Sequence, residues 1–196
     1  MALSTATELK TSVQNWLDRS DYADVADDII LLAENNLNLV LKHRKMIAST
    51  TLTPVSGAVT LPDDFLYPQR VIAQSDVPRT LTQISDPERE YNVNQGGLPI
   101  HYRIEENTLV TFPASNVDIK LSYYQEIPPL ASNSTNWLLD KHPNIYLTAC
   151  MLEAHRYFNN QDLYAREAQR FATMIDVLNG SGNAEDLYDA SYQGGY

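Results

Sequence analysis

Hydrophobic periodicity changes twice along this chain, and that change limits its fold more than any other feature. Near both ends, apolar residues recur every three or four positions, the spacing of one helix face. In the middle they alternate, the spacing of a strand with one buried side. Ala6, Leu9, Val13 and Trp16 form the first helical stripe. Thr5 and Glu8 sit at capping-box spacing, with the threonine capping the helix and the glutamate reaching back. Asp18 to Asp21 interrupt the pattern. A second helix is predicted from Tyr22 to Lys45, with Val25, Ile29, Leu32 and Leu39 as its stripe, widened by Ala33, Leu37 and Val40. Lys42, His43, Arg44 and Lys45 close it, where cations complement the helix dipole.

From Met46 the residue types change. Thr50, Thr51, Thr53, Val55, Val59 and Thr60 favour strands, punctuated by Pro54, Gly57 and Pro62. Arg70 to Gln74 predicts another short strand. Asp86, Pro87 and Glu88 read as a helix start, and Gly96-Gly97 as its end. His101 to Glu105 and Thr108 to Phe112 predict a hairpin around Glu106-Asn107. Val117, Ile119, Leu121 and Tyr123 alternate strictly with Asp118, Lys120, Ser122 and Tyr124, the pattern of a half-buried strand.

Pro128-Pro129 and Ser132 to Asn136 then predict a loop. Pro143 opens a third long helix, whose apolar face carries Tyr146, Ala149, Cys150, Leu152, Ala154 and Tyr157, and Asn159-Asn160 breaks it. A fourth helix has the cleanest period, with Tyr164, Ala168, Phe171, Ile175 and Leu178, and Asn179-Gly180 is its expected stop. Ser181 to Tyr196 is polar and aperiodic and is expected to have no fold of its own. The expected fold class is therefore α+β: mainly a helical bundle of two N-terminal and two C-terminal helices, with a small β-rich insertion. Residues 1–46 and 135–180 form the bundle, 47–134 the insertion with one short helix, and 181–196 a C-terminal arm. With four helices packed, no exposed apolar stripe is expected.

Composition narrows the chemistry. The formal net charge is -11, so a phosphate backbone is repelled and sequence-specific DNA binding is not expected. Cys150 is the single cysteine, which leaves no intrachain disulfide and no cysteine zinc site. Met1 to Trp16 has no basic flank followed by an apolar stretch, so no secretory signal is read there. No run reaches the length of a membrane span, and synthesis and use in a cytoplasm are expected. The four histidines, His43, His101, His142 and His155, share no metal-ligand spacing. His142 belongs to a helix entrance, and His155 is placed on a solvated face. The paired acids Asp27-Asp28, Asp63-Asp64 and Glu105-Glu106 are adjacent in sequence, so they diverge rather than face each other as glycosidase carboxylates do. No glycine-rich phosphate loop and no nucleophile elbow is present. No catalytic, metal or cofactor-binding residue is assigned, and no cofactor is expected. Twelve tyrosines against four phenylalanines skew the aromatics toward the amphipathic type enriched at protein interfaces.

Three blocks resemble one family. The first is Leu61-Pro-Asp-Asp-Phe-Leu-Tyr-Pro-Gln-Arg-Val71. The second runs from His101 to Pro113 and is followed by the strand ending in Tyr123 to Pro128. The third is Thr135 to Leu139 leading to His142–Tyr146 and on to Glu153-Ala154. In order and spacing they resemble the head-to-tail adaptor (connector) proteins of short-tailed bacteriophages, a portal-adaptor family related to tail tubular protein A. The resemblance spans roughly Thr50 to Leu178.

It implies a structural virion protein, not an enzyme. Such a chain forms a homo-oligomeric ring of twelve copies between the portal protein and a downstream tail or nozzle protein. The ring lines the channel through which DNA is ejected, without binding it specifically and without touching a membrane. The expected location is the virion neck and tail, after synthesis in the bacterial host cytoplasm. The resemblance also implies anchoring to the portal through a C-terminal extension. In this chain Tyr188, Tyr192 and Tyr196 recur every four residues, with Leu187 beside them, so a helix would place them on roughly one face. These four residues are the candidate portal-docking set. The expected behaviour is a monomer in isolation that forms a ring only on the portal. Two other classes stay open, a virion-associated cell-wall hydrolase (muramidase) and a small binding module that never enters a particle.

Overall fold

The computed structural model describes residues 3–84 and 97–192, with residues 181–192 described by backbone alone. The expected helix between Asp86 and Gly96 lies outside the described residues. The fold is mixed α+β. By contacts the chain divides into two compact units, Met46–Gln125 and the combination of Met1–Lys45 with Glu126–Tyr196.

The unit Met46–Gln125 is β-rich. It holds β1 (Ile47–Leu52), β2 (Ala58–Thr60), β3 (Phe65–Ala73), β4 (Arg79–Thr80), β5 (Thr82–Gln83), β6 (His101–Glu105), β7 (Thr108–Phe112) and β8 (Ile119–Gln125). One sheet has the order β1-β8-β3-β4 and the other β2-β7-β6-β5. β5 and β6 run parallel, and the remaining pairs are antiparallel. The hairpin falls where the alternation put it: His101 pairs Phe112 and Glu105 pairs Thr108. Glu106 takes φ 51° at the turn. Along β8, Ile119, Leu121 and Tyr123 are buried while Lys120 is exposed. They join Val71 and Ala73 of the same sheet and Tyr102 and Leu109 of the other in one apolar cluster. Gly57 holds a tight turn at φ +83°, where an added Cβ would lie 2.7 Å from the Ala114 backbone.

β3 is longer than the expected strand from Arg70. It starts at Phe65 and contains Pro68, with register shifts between Phe65 and Tyr67 and between Pro68 and Arg70. Proline donates no ladder hydrogen bond, and irregular register lets a strand carry it.

The other unit is helical, with α1 (Ala6–Leu17), α2 (Ala26–Val40), α3 (Trp137–Lys141), α4 (Pro143–Tyr157) and α5 (Gln161–Tyr192). Both halves of the expected capping box on α1 form. Asp18, in the left-handed region at φ 52°, ends that helix. α4 is buried from Ile145 to His155 without a break, as expected for a helix surrounded by others. It packs against α1, α2, α3 and α5.

Several expectations for this unit need correction. Tyr22 is fully buried on a short 3-10 turn, and α2 starts only at Ala26. The buried face of α2 is Ala26, Ile29, Ile30, Ala33 and Leu37, which leaves Leu32 48% and Leu39 76% exposed. Apolar residues occupy more than half of this helix, so the sequence alone did not settle its phase. α2 also stops at Val40, because Leu41 turns extended. Asn179 caps that end: its Nδ2 donates to the Val40 carbonyl at 3.0 Å, and Lys42 N donates to its Oδ1 at 2.8 Å. Lys42 to Lys45 therefore follow the helix rather than closing it. Nor does Asn179-Gly180 stop α5, which continues to Tyr192. Gly180 costs a helix only about 1 kcal/mol relative to alanine, which propagation past it can absorb.

Candidate functional site

The three acid pairs are engaged in separate local contacts. Asp27, in the first turn of α2, meets Lys10 at 2.5 Å. Asp64 accepts from the Tyr123 hydroxyl at 2.9 Å, and Glu105 pairs with Arg103. Among the described residues no group of three metal-ligating side chains comes together. No described helix is long and apolar enough to cross a membrane.

His155 is buried, not solvated, and its Nδ1 has no hydrogen-bond partner. Burial holds its pKa below the usual imidazole value. His142 is lowered as well, first by burial and then by the Lys45 ammonium. His43 stacks on Trp137 with ring centroids 5.2 Å apart, and His142 approaches it edge-on at 6.4 Å. Lys45 lies 5.8 Å from the same Trp137 ring. This cluster pins the start of α3 and α4 with aromatic and cation–π contacts. Cys150 is fully buried, and burial together with Glu34 and Glu153 pushes its thiol far up, so it stays protonated.

The polar interior of the helical unit converges on Glu34. Its Oε1 accepts from the Tyr146 hydroxyl at 2.5 Å and from Leu130 N at 2.8 Å. Asn136 donates from Nδ2 to the Pro128 carbonyl and to the Tyr146 oxygen, while its Oδ1 caps α3 by accepting from Leu139 N. Nearby, Asn36 donates to buried Glu153 at 2.7 Å. These bonds fix the loop from Pro128 to Asn136 to the helices. Sequence reasoning missed the bonds to Glu34 and Glu153 because they join residues 96 to 117 positions apart in the chain.

What the surface offers is apolar. His142, Ile145, Arg170, Met174, Val177 and Leu178 line a groove of about 500 Å³ between the start of α4 and the middle of α5. Leu31, Leu32, Leu39 and Val40 stand exposed on α2, and Val177 is 68% exposed on α5. The expectation that no exposed apolar stripe remains after helix packing is therefore wrong. The reason is the phase of α2, which buries Ala33 and Leu37 and turns the leucines outward. Of the candidate docking set, Leu187, Tyr188 and Tyr192 fall on the α5 backbone, the two tyrosines one turn apart, and Tyr196 lies outside the described residues.

A family model described as SU10 adaptor protein matches residues 4–193. No curated protein matches the chain.

Proposed function

The chain belongs to the SU10 adaptor protein family, and on that premise we propose that it is a structural protein of a tailed-phage neck, joining the portal to the tail. Twelve copies form a closed ring through heterologous contacts, in which two different faces of each copy meet. The ring surrounds the DNA channel, where a chain of net charge -11 repels DNA rather than holding it. Its role is assembly and not catalysis. The four long helices act as a bundle, and Leu187, Tyr188, Tyr192 and Tyr196 form the portal-docking arm. Kinship to tail tubular protein A belongs to the same proposal, as does synthesis in the host cytoplasm before assembly.

The observation that carries this reading is the extent of the match. Residues 4–193 take in both the helical and the β-rich unit, so the whole plan of the chain is of the adaptor type. Purified particles test it. Quantitative mass spectrometry should find this chain at the same ring multiple as the portal, and a neck reconstruction should show it beneath the portal. Its absence from particles would overturn the proposal.

A further inference from the structure

Two exposed helix stripes in the helical unit share the same spacing. On α2, Asp28, Leu32, Asn35 and Leu39 step by four, three and four, and all four are exposed. On α5, Arg166, Arg170, Thr173 and Val177 step by the same intervals and are also all exposed. Both stripes extend about 16 Å, since an α-helix rises about 1.5 Å per residue. This is the heptad-like spacing that lets one helix seat on another.

We propose that α2 of one copy packs in parallel along α5 of a second copy, and that this pair is the subunit contact of the ring. The occupant follows from charge and order. Side by side in parallel, Asp28 meets Arg166 and Leu32 meets the aliphatic stem of Arg170. Asn35 then meets Thr173, and Leu39 meets Val177 at the rim of the apolar groove. Reversed, the carboxylate of Asp28 would face Val177 and Leu39 would face the Arg166 guanidinium, so the antiparallel pairing is rejected. Arg170 also reaches Glu167 at 3.9 Å, a long and half-exposed contact that leaves the guanidinium accessible. In a chain of net charge -11, two arginines on one exposed stripe are a local attraction between copies that otherwise repel. Each copy carries both stripes on different helices, so the contact is heterologous and propagates head to tail until it closes. The proposal rests on the ring reading and names the surfaces that make the ring.

Cysteine trapping on the full chain tests it. Cys150 is fully buried and protonated, so it contributes no background. A chain carrying both Leu39→Cys and Val177→Cys should give, on mild oxidation at high concentration, a disulfide ladder of dimers, trimers and higher forms. An equal mixture of the two single variants should stop at dimer, and each single variant alone should stay monomeric. Adding Leu32→Lys to the double variant should abolish the ladder while the circular dichroism spectrum is unchanged. The inference is overturned by a mixture of the two single variants that gives no dimer, by Leu39→Cys alone dimerising as readily as the mixture, or by a ladder that survives Leu32→Lys. Copy number in particles decides the ring separately: a ring multiple without the mixed dimer refutes these surfaces and leaves the ring standing.

Discussion

Glu34 ties three segments together with one carboxylate: its own helix α2, the loop at Leu130, and α4 through Tyr146. Replacing Tyr146 by phenylalanine removes one donor and leaves Asn136 without that partner. The cost should be about 1.5 kcal/mol, the low end of the range for a hydrogen bond to a carboxylate. Glu34→Ala strands the buried Leu130 N–H and the Tyr146 hydroxyl together, and should cost about 2–4 kcal/mol. Urea midpoints at constant slope measure both. A Glu34→Ala chain as stable as Tyr146→Phe would show that the network is satisfied by water instead. A second residue-scale effect appears in alkali. Burial and the bond to Asp64 push the Tyr123 phenol up to about 12. A phenol raised in the fold stabilises it fully below the unfolded value of about 10, and that contribution is lost as pH rises from there through about 12. Stability should fall over this window, and the fall should be shallower in Tyr123→Phe.

Elements specified by nearby residues were legible, and those specified from a distance were not. The hairpin of β6 and β7 and the alternation of β8 carry their signal within a few residues, so sequence and structure agree there. The cap of α1 is equally local. The end of α2 is the opposite case, because the side chain that caps it belongs to Asn179, 139 residues beyond Val40. Nothing near Val40 announces that stop, and the basic run Lys42 to Lys45 pointed to a later one. Asn179→Ala should cost about 1 kcal/mol, in the range of a lost helix cap, although the substitution lies in α5 and improves that helix's own propensity. Thermal unfolding measures the sign: a more stable variant would show that α5 propensity outweighs the cap. The candidate site was partly legible in the same way. The tyrosine spacing in the arm is local, whereas the outward turn of Leu32 and Leu39 follows from which face of α2 α4 accepts.

At the scale of the molecule, the C-terminal segment is best tested by removing it. Among the described side chains, buried apolar residues continue along α5 to Ile175 and Leu178, and Asn179 bonds to the end of α2. A chain ending at Gly180 keeps all of these. It should stay folded, monomeric and unchanged in melting temperature, but lose the circular dichroism signal of the helix from residue 181 to Tyr192. If the arm docks the portal, the truncated chain should also lose portal binding, because the Leu187, Tyr188, Tyr192 and Tyr196 set goes with it. Single substitutions separate that role from simple loss of length: Tyr188→Ala and Tyr192→Ala keep the segment helical while removing aromatic surface. Portal capture by surface plasmon resonance should weaken by about tenfold or more for the pair, as expected when interface aromatics of hot-spot type are truncated. Unaltered capture by both the truncated and the substituted chains would place the portal-docking surface within residues 1–180 instead.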